Sequence, residues 1–109
     1  MLYSSCFQSF LNLDSLWSVW EDESQPDTVR LKAIKIYAWE GYLFTQADSA
    51  YYFAGLFYDF AKERGLEKHM AKALNVQGAS LYLRCWLDEA MDCYQRSLEI
   101  RGELETELA

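Results

Sequence analysis

Hydrophobic positions between residues 71 and 101 recur at helical spacing, in two stripes that are separated by a few residues. The first stripe comprises Ala71, Leu74, Gly78, Leu81 and Tyr82. The second stripe comprises Leu87, Ala90, Met91, Tyr94, Ser97, Leu98 and Arg101. Positions three, four and seven apart lie on one face of an α-helix. Two such helices with a short connection predict an antiparallel hairpin.

Two further features of this hairpin, a glycine inside the first helix and charged residues near the ends of the second, bear on its helices. Gly78 lies inside the first helix, where glycine costs about 1 kcal/mol relative to alanine. We therefore expect a neighbouring helix to approach closely at Gly78. Asp88 and Glu89 fall in the first turn of the second helix, and Arg96 lies toward its end, so the charges complement the helix dipole.

A diverged copy of the pattern lies forty residues earlier, with Ala38 at the place of Gly78 and Ala50 at that of Ala90. Its first helix should begin near Pro26 or Asp27 and run to about Phe44, with Leu31, Ile34, Ala38, Gly41 and Tyr42 on its core face. Its second helix should open near Gln46 and bury Ala50, Ala54, Phe57 and Ala61 with neighbouring aromatic side chains. The sequence thus predicts two hairpins, at about residues 26–64 and 67–105.

Local residues mark the ends of these helices. Ser24 with Asp27, and Thr45 with Asp48, have the spacing of N-terminal capping pairs. Gly65 follows Lys62 and Arg64 and is a natural residue for the left-handed position after a helix.

The chain divides into a short N-terminal segment and one domain. Residues 1–12 show no clear period, so we predict no regular structure there, and residues 13–109 form one helical-repeat domain. A short helix is expected over Leu13, Leu16, Trp17 and Trp20, with Asp14 as its cap. Two interpretations of its tryptophans stay open: the helix covers the end of the repeats, or the pair docks a partner.

The second hairpin resembles the tetratricopeptide repeat, a family of paired antiparallel helices. The resemblance rests on Gly78, Ala90, Tyr94 and the ending QRSLEIR. The sequence departs from the family pattern at Gln77, where the family has Leu, at Cys85-Trp86 between the helices, and at Arg101-Gly102 in place of the closing Pro.

A closer resemblance covers residues 13 to about 103. It rests on Pro26-Asp27-Thr28, the run from Arg30 to Ala33, Ala38-Trp39 and Asp48-Ser49-Ala50, which resemble the N-terminal repeat region of bacterial adenylate or guanylate cyclases. In those proteins the repeats precede a membrane span and a catalytic domain, neither of which occurs in this sequence. The resemblance implies a detached bacterial signalling input module without cyclase activity.

In the tetratricopeptide family, the first helices of successive repeats line a concave surface. The resemblance implies a peptide-binding groove formed by Lys32, Lys35, Trp39, Tyr42, Leu43, Lys72, Asn75, Ala79, Tyr82 and Leu83. Some members clamp a peptide carboxylate with Lys and Asn four places apart, but Trp39 follows Lys35 and Ala79 follows Asn75, so that clamp is incomplete. The mixture of lysines and aromatics suits a peptide with acidic and apolar groups; the alternative is that these lysines form a solvated helix face.

Composition agrees with one small all-α domain. The chain has 109 residues, 51% of them hydrophobic, with one Pro and five Gly, which suffices for a helical core. A net charge of −7 argues against nucleic acid or an anionic membrane as the main partner. No uncharged apolar run reaches 18 residues, so no membrane span is expected. The absence of a basic N-terminal region argues against a signal peptide, and we expect a cytoplasmic protein.

Residues with catalytic or metal-binding chemistry are few. His69 is the single histidine, and we interpret it as a surface or capping residue. Asp88 and Asp92 can share a helix face, but nothing near them in the sequence makes either a proton donor. No zinc spacing and no glycine-rich phosphate loop occurs, so we expect no enzyme activity, cofactor or metal. Of three cysteines, Cys6, Cys85 and Cys93, reduced buried thiols are favoured over a Cys85–Cys93 bridge.

The favoured function is a non-catalytic module that binds a peptide or protein segment in the concave groove. The alternative is a self-associating module, a homodimer that buries its groove or an open edge. That edge is expected on the last helix at Met91, Leu98 and Ile100, because two repeats leave terminal faces without neighbours. In that case Trp39, Tyr42 and Tyr82 become interface residues.

Overall fold

A computed structural model describes residues 12–108, with side chains described up to residue 103, and this part of the chain is all-helical. Five helices follow one another: α1 (Leu13–Glu21), α2 (Asp27–Tyr42), α3 (Ala47–Glu63), α4 (Glu67–Leu83) and α5 (Leu87–Leu108). The all-α fold class predicted from the sequence is therefore confirmed for the described residues. The predicted irregular segment before Asn12 lies outside them. Within residues 12–108, no helix is both long enough and apolar enough to cross a membrane.

The forty-residue period sets the layout of the helices. Helices α2 and α4 begin at Asp27 and Glu67, and α3 and α5 begin at Ala47 and Leu87, so both pairs are offset by forty residues. Each helix packs against the next along the chain, and α2 also contacts α4. The shift that superimposes the hydrophobic patterns therefore also superimposes the helix starts.

Helices α4 and α5 pack antiparallel through small residues. A Cβ added at Gly78 would lie 2.8 Å from Cε1 of Tyr94, which confirms the expected close approach. Near the start of α4, the Ser97 hydroxyl donates a hydrogen bond of 2.9 Å to the Ala71 carbonyl. Near its end, Leu81 packs in one cluster with residues from the first half of α5. The early part of one helix thus meets the late part of the other.

The hydrophobic stripe predicted for α5 is only partly core. Ala90 and Ser97 are buried, whereas Leu87, Met91 and Leu98 are exposed, as is Tyr82 at the end of the α4 stripe. Periodicity predicts a core face for Leu87, Met91 and Leu98, but α5 packs mainly on α4, so its wide apolar stripe has a packing partner on one side. The exposure of Met91 and Leu98 agrees with the predicted open edge, whereas Ile100, the third residue predicted there, is half-buried.

The main core lies where α2, α3 and α4 meet. Its buried side chains are Leu31, Ile34, Phe57, Phe60, Ala61 and Ala73. Phe57 is fully enclosed, with no exposed surface. Burying a large apolar side chain contributes roughly 1.5–3 kcal/mol, so this cluster stabilises the packing of α2, α3 and α4.

Helix α1 covers the outer side of α2 and α3. The Trp17 ring lies 5.3 Å from that of Tyr37 and 5.8 Å from that of Phe53, and the Trp20 ring lies 4.9 Å from that of Phe60. Arg30 fixes the helix further, because its Nε donates to the Trp20 carbonyl at 2.8 Å. Both tryptophan rings therefore pack on the core cluster, which favours the covering interpretation over partner docking.

The structure corrects the predicted N-terminal caps. Asn12, not Asp14, caps α1, because its Oδ1 accepts a 3.0 Å hydrogen bond from the Ser15 amide. The Ser24 hydroxyl donates to Asp22 at 2.6 Å and so is not available to α2. The Thr45 hydroxyl donates back to the carbonyls of Gly41 and Tyr42, each at 3.5 Å, instead of capping α3. The hydroxyls of Ser24 and Thr45 thus bind to groups that precede them in the chain and not to the helices that they were expected to cap.

Two helices end in the same turn with different residues. Gly65 follows α3 with φ +66°, and Cys85 follows α4 with φ +63°. In both turns the next residue donates to a carbonyl five places back, from Leu66 to Ala61 and from Trp86 to Leu81, each at 2.9 Å. These are Schellman ends, in which the left-handed residue is usually glycine. The sequence predicted the first from Gly65, whereas Cys85 gives no such signal.

Candidate interaction groove

A groove runs between α2 and α4 and reaches the last part of α5. It has a volume of about 450 Å³. Its lining residues come from three helices: Lys35, Ile36, Trp39 and Glu40 of α2, Lys72, Asn75 and Val76 of α4, and Arg101 of α5. We call this surface the α2–α4 groove.

Four of the ten predicted groove residues line it: Lys35, Trp39, Lys72 and Asn75. Lys35 and Trp39 are four residues apart on α2, and Lys72 and Asn75 are three apart on α4, so each pair lies on one helix face. Trp39 keeps 38% of its surface exposed, so part of its ring is accessible from the groove. The groove thus has an accessible aromatic surface between basic groups.

Four predicted residues lie outside the groove lining without being buried. Lys32, Tyr82 and Leu83 are exposed, and Ala79 is half-buried. Lys32 precedes Lys35 by three positions on α2, but the groove is lined beyond it by Ile36, Trp39 and Glu40. These residues are accessible, yet they do not share one concave site with the others.

Of the two remaining predicted residues, Leu43 requires correction, whereas Tyr42 is half-buried and lies outside the groove lining. Leu43 is 2% exposed and is enclosed where α2 ends and the chain turns toward α3, so it cannot contact a ligand. Tyr42 belongs to an aromatic cluster: its ring lies 5.1 Å from the rings of Tyr37 and Phe53. Its hydroxyl lies 3.3 Å from that of Tyr37. Burial, followed by this hydrogen bond, raises the pKa of Tyr37 to about 12.

The groove has a local excess of positive charge. Lys35, Lys72 and Arg101 line it with a single carboxylate, Glu40. The pKa of Lys72 is lowered by burial first and then by the nearby charges of Lys35, Lys68 and Arg101. Among the side chains that the structure describes, the ion pairs are those of Arg64. On a chain with net charge −7, the groove cations are therefore concentrated and unpaired within that part.

His69 lies next to this cluster of cations. It is half-buried near the start of α4, the helix start at which the sequence places it. Burial lowers its pKa, and the charges of Lys72, Lys68 and Lys35 lower it further. Since the ordinary pKa of histidine is about 6.5, the imidazole of His69 is mainly neutral at pH 7.

Sequence reasoning missed four lining residues: Ile36, Glu40, Val76 and Arg101. Ile36 and Val76 are themselves related by the forty-residue shift, so a signal for them existed in the repeat. Glu40 follows Trp39 directly and could have been found as its neighbour. Arg101 had no local signal, because it reaches the groove through the antiparallel packing of α5 on α4.

The other candidate chemistry is limited. Within residues 12–103, no group of three His, Cys, Asp or Glu side chains could hold a metal ion. Cys85 and Cys93 are both free thiols. Cys85 is exposed, contrary to the expectation of a buried thiol, because it lies in the turn before α5. Cys93 is buried, and burial raises its pKa. Cys6 lies outside the described residues.

Comparison of the chain with protein-family models, with curated proteins and with solved structures finds no match in any of the three.

Proposed function

We propose that this chain is a non-catalytic protein-interaction module, built from two tetratricopeptide-like hairpins, that binds a peptide segment in the α2–α4 groove. Three features support the hairpin assignment. The helix starts repeat after forty residues, α4 and α5 run antiparallel, and small residues occupy the helix-crossing positions Ala38 and Gly78. The resemblance to cyclase input regions adds the proposal of a signalling role.

The observation that carries the proposal is the composition of the groove wall. Lys35, Lys72 and Arg101 supply positive charge, and Trp39 supplies an exposed aromatic surface beside them. Asn75 adds an amide that can both donate and accept hydrogen bonds, which suits a peptide backbone. A concave surface with a few placed polar groups on an apolar wall is typical of binding sites.

This chemistry selects a particular class of peptide. Carboxylates on the ligand would satisfy the groove lysines, and an aromatic or aliphatic side chain would pack on Trp39. Glu40 disfavours a further acid at its end of the groove. The ligand is therefore a segment with acidic residues next to one apolar residue.

Fluorescence polarisation tests the proposal. The probe is a labelled peptide that alternates Glu or Asp with Trp, Phe or Leu, and the comparison probe replaces each acid with Lys. We expect the acidic probe alone to bind. The double variant Lys35→Glu/Lys72→Glu should weaken binding at least about tenfold, equivalent to about 1.4 kcal/mol.

The matched control is Lys32→Glu, an exposed lysine of the same helix that does not line the groove. It should weaken binding less than about twofold, because Lys32 lies outside the groove lining and its charge is more distant from a peptide bound there. Trp39→Ala should also weaken binding of the acidic probe. Equal losses for the control and the groove variants, or no loss for Trp39→Ala, would rule out the groove as the binding site.

A further inference from the structure

Three cations from three different helices line the α2–α4 groove: Lys35 of α2, Lys72 of α4 and Arg101 of α5. They are close enough to act on one another, because the charges of Lys35, Lys68 and Arg101 lower the pKa of Lys72 beyond the effect of burial. The chain has 17 acidic and 10 basic residues, so a surface cation ordinarily has an acid nearby. Like charges held together cost free energy in the free chain, and a bound anion would remove that cost.

Arg101 differs from the other arginines of the chain. Each of the other four lies over an aromatic ring: Arg30 and Arg64 over Phe60, Arg84 over Trp86 and Arg96 over Tyr58. Among the side chains that the structure describes, Arg101 has neither a ring nor a carboxylate as its partner. The guanidinium group therefore presents its five N–H donors to the groove and to solvent, where an anion can accept from them.

The charge balance of the groove favours an anion with two negative charges over one with a single charge. Glu40 is the one carboxylate in the lining, so three cations and one acid leave two positive charges in excess. A carboxylate brings one negative charge and two oxygens. A phosphorylated side chain brings a charge of roughly −1.5 to −2 at pH 7 and three strong acceptor oxygens. It therefore matches both the excess charge and the number of cations.

We propose that the α2–α4 groove recognises a phosphorylated protein segment, with the phosphoryl group held by Lys35, Lys72 and Arg101 and a neighbouring apolar side chain packed on Trp39. This inference rests on the proposed function and narrows its class of ligand. Lys35 and Trp39 are four residues apart, about 6 Å along the axis of α2, which corresponds to about two residues of an extended peptide. The apolar residue is therefore expected two positions from the phosphorylated one.

Fluorescence polarisation with three matched peptides tests the proposal. The peptides are identical except at one position, which holds phosphoserine, glutamate or serine, and each carries Leu two positions away on either side. The buffer contains no phosphate. We expect the phosphoserine peptide to bind at least about tenfold more tightly than the glutamate peptide, because its greater charge and third oxygen engage all three cations. The serine peptide should bind most weakly.

Variants of the cations assign the preference to the groove. Arg101→Gln and Lys72→Gln should each reduce the preference for phosphoserine over glutamate to less than about threefold. Arg101→Lys keeps the charge but loses the planar fork of donors, so its preference should be intermediate. Trp39→Ala should weaken the phosphoserine and glutamate peptides by the same factor, and Lys32→Gln, outside the groove lining, should change neither. Circular dichroism of each variant confirms that the fold is retained.

The outcomes separate this inference from the proposed function. Equal affinities for the phosphoserine and glutamate peptides would overturn the inference and leave the peptide groove intact, whereas no binding of any peptide would overturn both. A phosphoserine preference that persists in Arg101→Gln and Lys72→Gln would show that the phosphoryl group binds elsewhere. Unlabelled competitors identify the source of the anion: displacement of the probe by inorganic phosphate at the same concentration as by the phosphopeptide would overturn the assignment to a phosphorylated segment.

Discussion

The two helix pairs, α2–α3 and α4–α5, share one register but differ in what covers their ends. Leu43 is 2% exposed, whereas Leu83, forty residues later, is 44% exposed. Tyr42 is half-buried, whereas Tyr82 is 60% exposed. The same residue types at the same repeat positions therefore have different surroundings.

Helix α1 accounts for much of this difference. Trp17 packs on Tyr37, and Tyr37 packs on Tyr42, so the first pair has an aromatic layer that extends to the end of α2. No described helix plays this part for α4–α5. The repeat pattern thus fixes where helices begin and which small residues cross, but neighbouring helices decide which large side chains stay accessible.

The two helix pairs also place their large interior side chain at different repeat positions. The first pair places Ala54 and Phe57 where the second pair has Tyr94 and Ser97. Phe57 fills the core of the first pair, and the Tyr94 ring lies against Gly78 in the second. A large side chain is present in both pairs, but at positions one helical turn apart.

The largest expected change in the free energy of unfolding comes from truncating Phe57, the large core side chain of the first pair. Phe57→Ala should lower the free energy of unfolding by about 3–5 kcal/mol, because it leaves a cavity in a fully buried site. Ser97→Ala is its repeat-matched partner and should lower the free energy by only about 1 kcal/mol, since it removes one hydrogen bond. Urea unfolding followed by circular dichroism measures both values, and similar losses would contradict the difference in packing.

A smaller loss of stability is expected from a substitution at Gly78, where α4 and α5 cross in the second pair. Gly78→Ala should lower the free energy of unfolding by about 1–3 kcal/mol, because its Cβ would displace the Tyr94 ring from a packed position. Gly55→Ala is the control: its nearest neighbour is Nε2 of Gln77 at 3.5 Å, so the change should stabilise by up to about 1 kcal/mol.

The same unfolding measurement on Gly78→Ala in a Tyr94→Leu background completes a double-mutant cycle. The loss should largely disappear there, because the ring that the new methyl group meets has been removed. A loss of the same size in both backgrounds would assign the effect to the backbone instead of the Gly78–Tyr94 contact.

The smallest effect concerns the turn that joins α4 to α5. Cys85→Gly should raise the free energy of unfolding by about 1 kcal/mol, because a side chain at positive φ costs roughly 1–2 kcal/mol and glycine avoids much of that strain. Gly65→Ala, in the matching turn after α3, should lower the free energy of unfolding. Thermal and urea unfolding of both variants check this; a destabilising Cys85→Gly would show that the cysteine side chain contributes a contact that outweighs the strain.

Most of the helical layout could be predicted from the sequence. The spacing of Leu31, Ile34 and Ala38, repeated at Ala71, Leu74 and Gly78, is periodic and local, and these residues are buried. The N-terminal caps could not be predicted, because the side chains of Asn12, Ser24 and Thr45 each have several hydrogen-bond partners within reach. Local spacing does not decide between those partners.

The groove could be predicted in part, for a related reason. Lys35, Trp39, Lys72 and Asn75 were implied by the resemblance to tetratricopeptide repeats, in which the first helices of successive repeats line the concave surface. Arg101 reaches the groove from another helix. Arg101 lines the groove because of how α5 packs on α4, and the position of Arg101 within its own repeat does not predict that packing.

The packing of each helix on the next one also has a consequence for the speed of folding. Because the contacts join segments that are close in sequence, little chain entropy is lost before they form. Helical proteins with such local contacts fold in microseconds to milliseconds. Helix α1 contributes no fully buried residue, and Trp17 and Trp20 rest on a surface formed by α2 and α3, so we expect its docking to require that surface first. The domain is therefore expected to assemble quickly, with its covering helix added last.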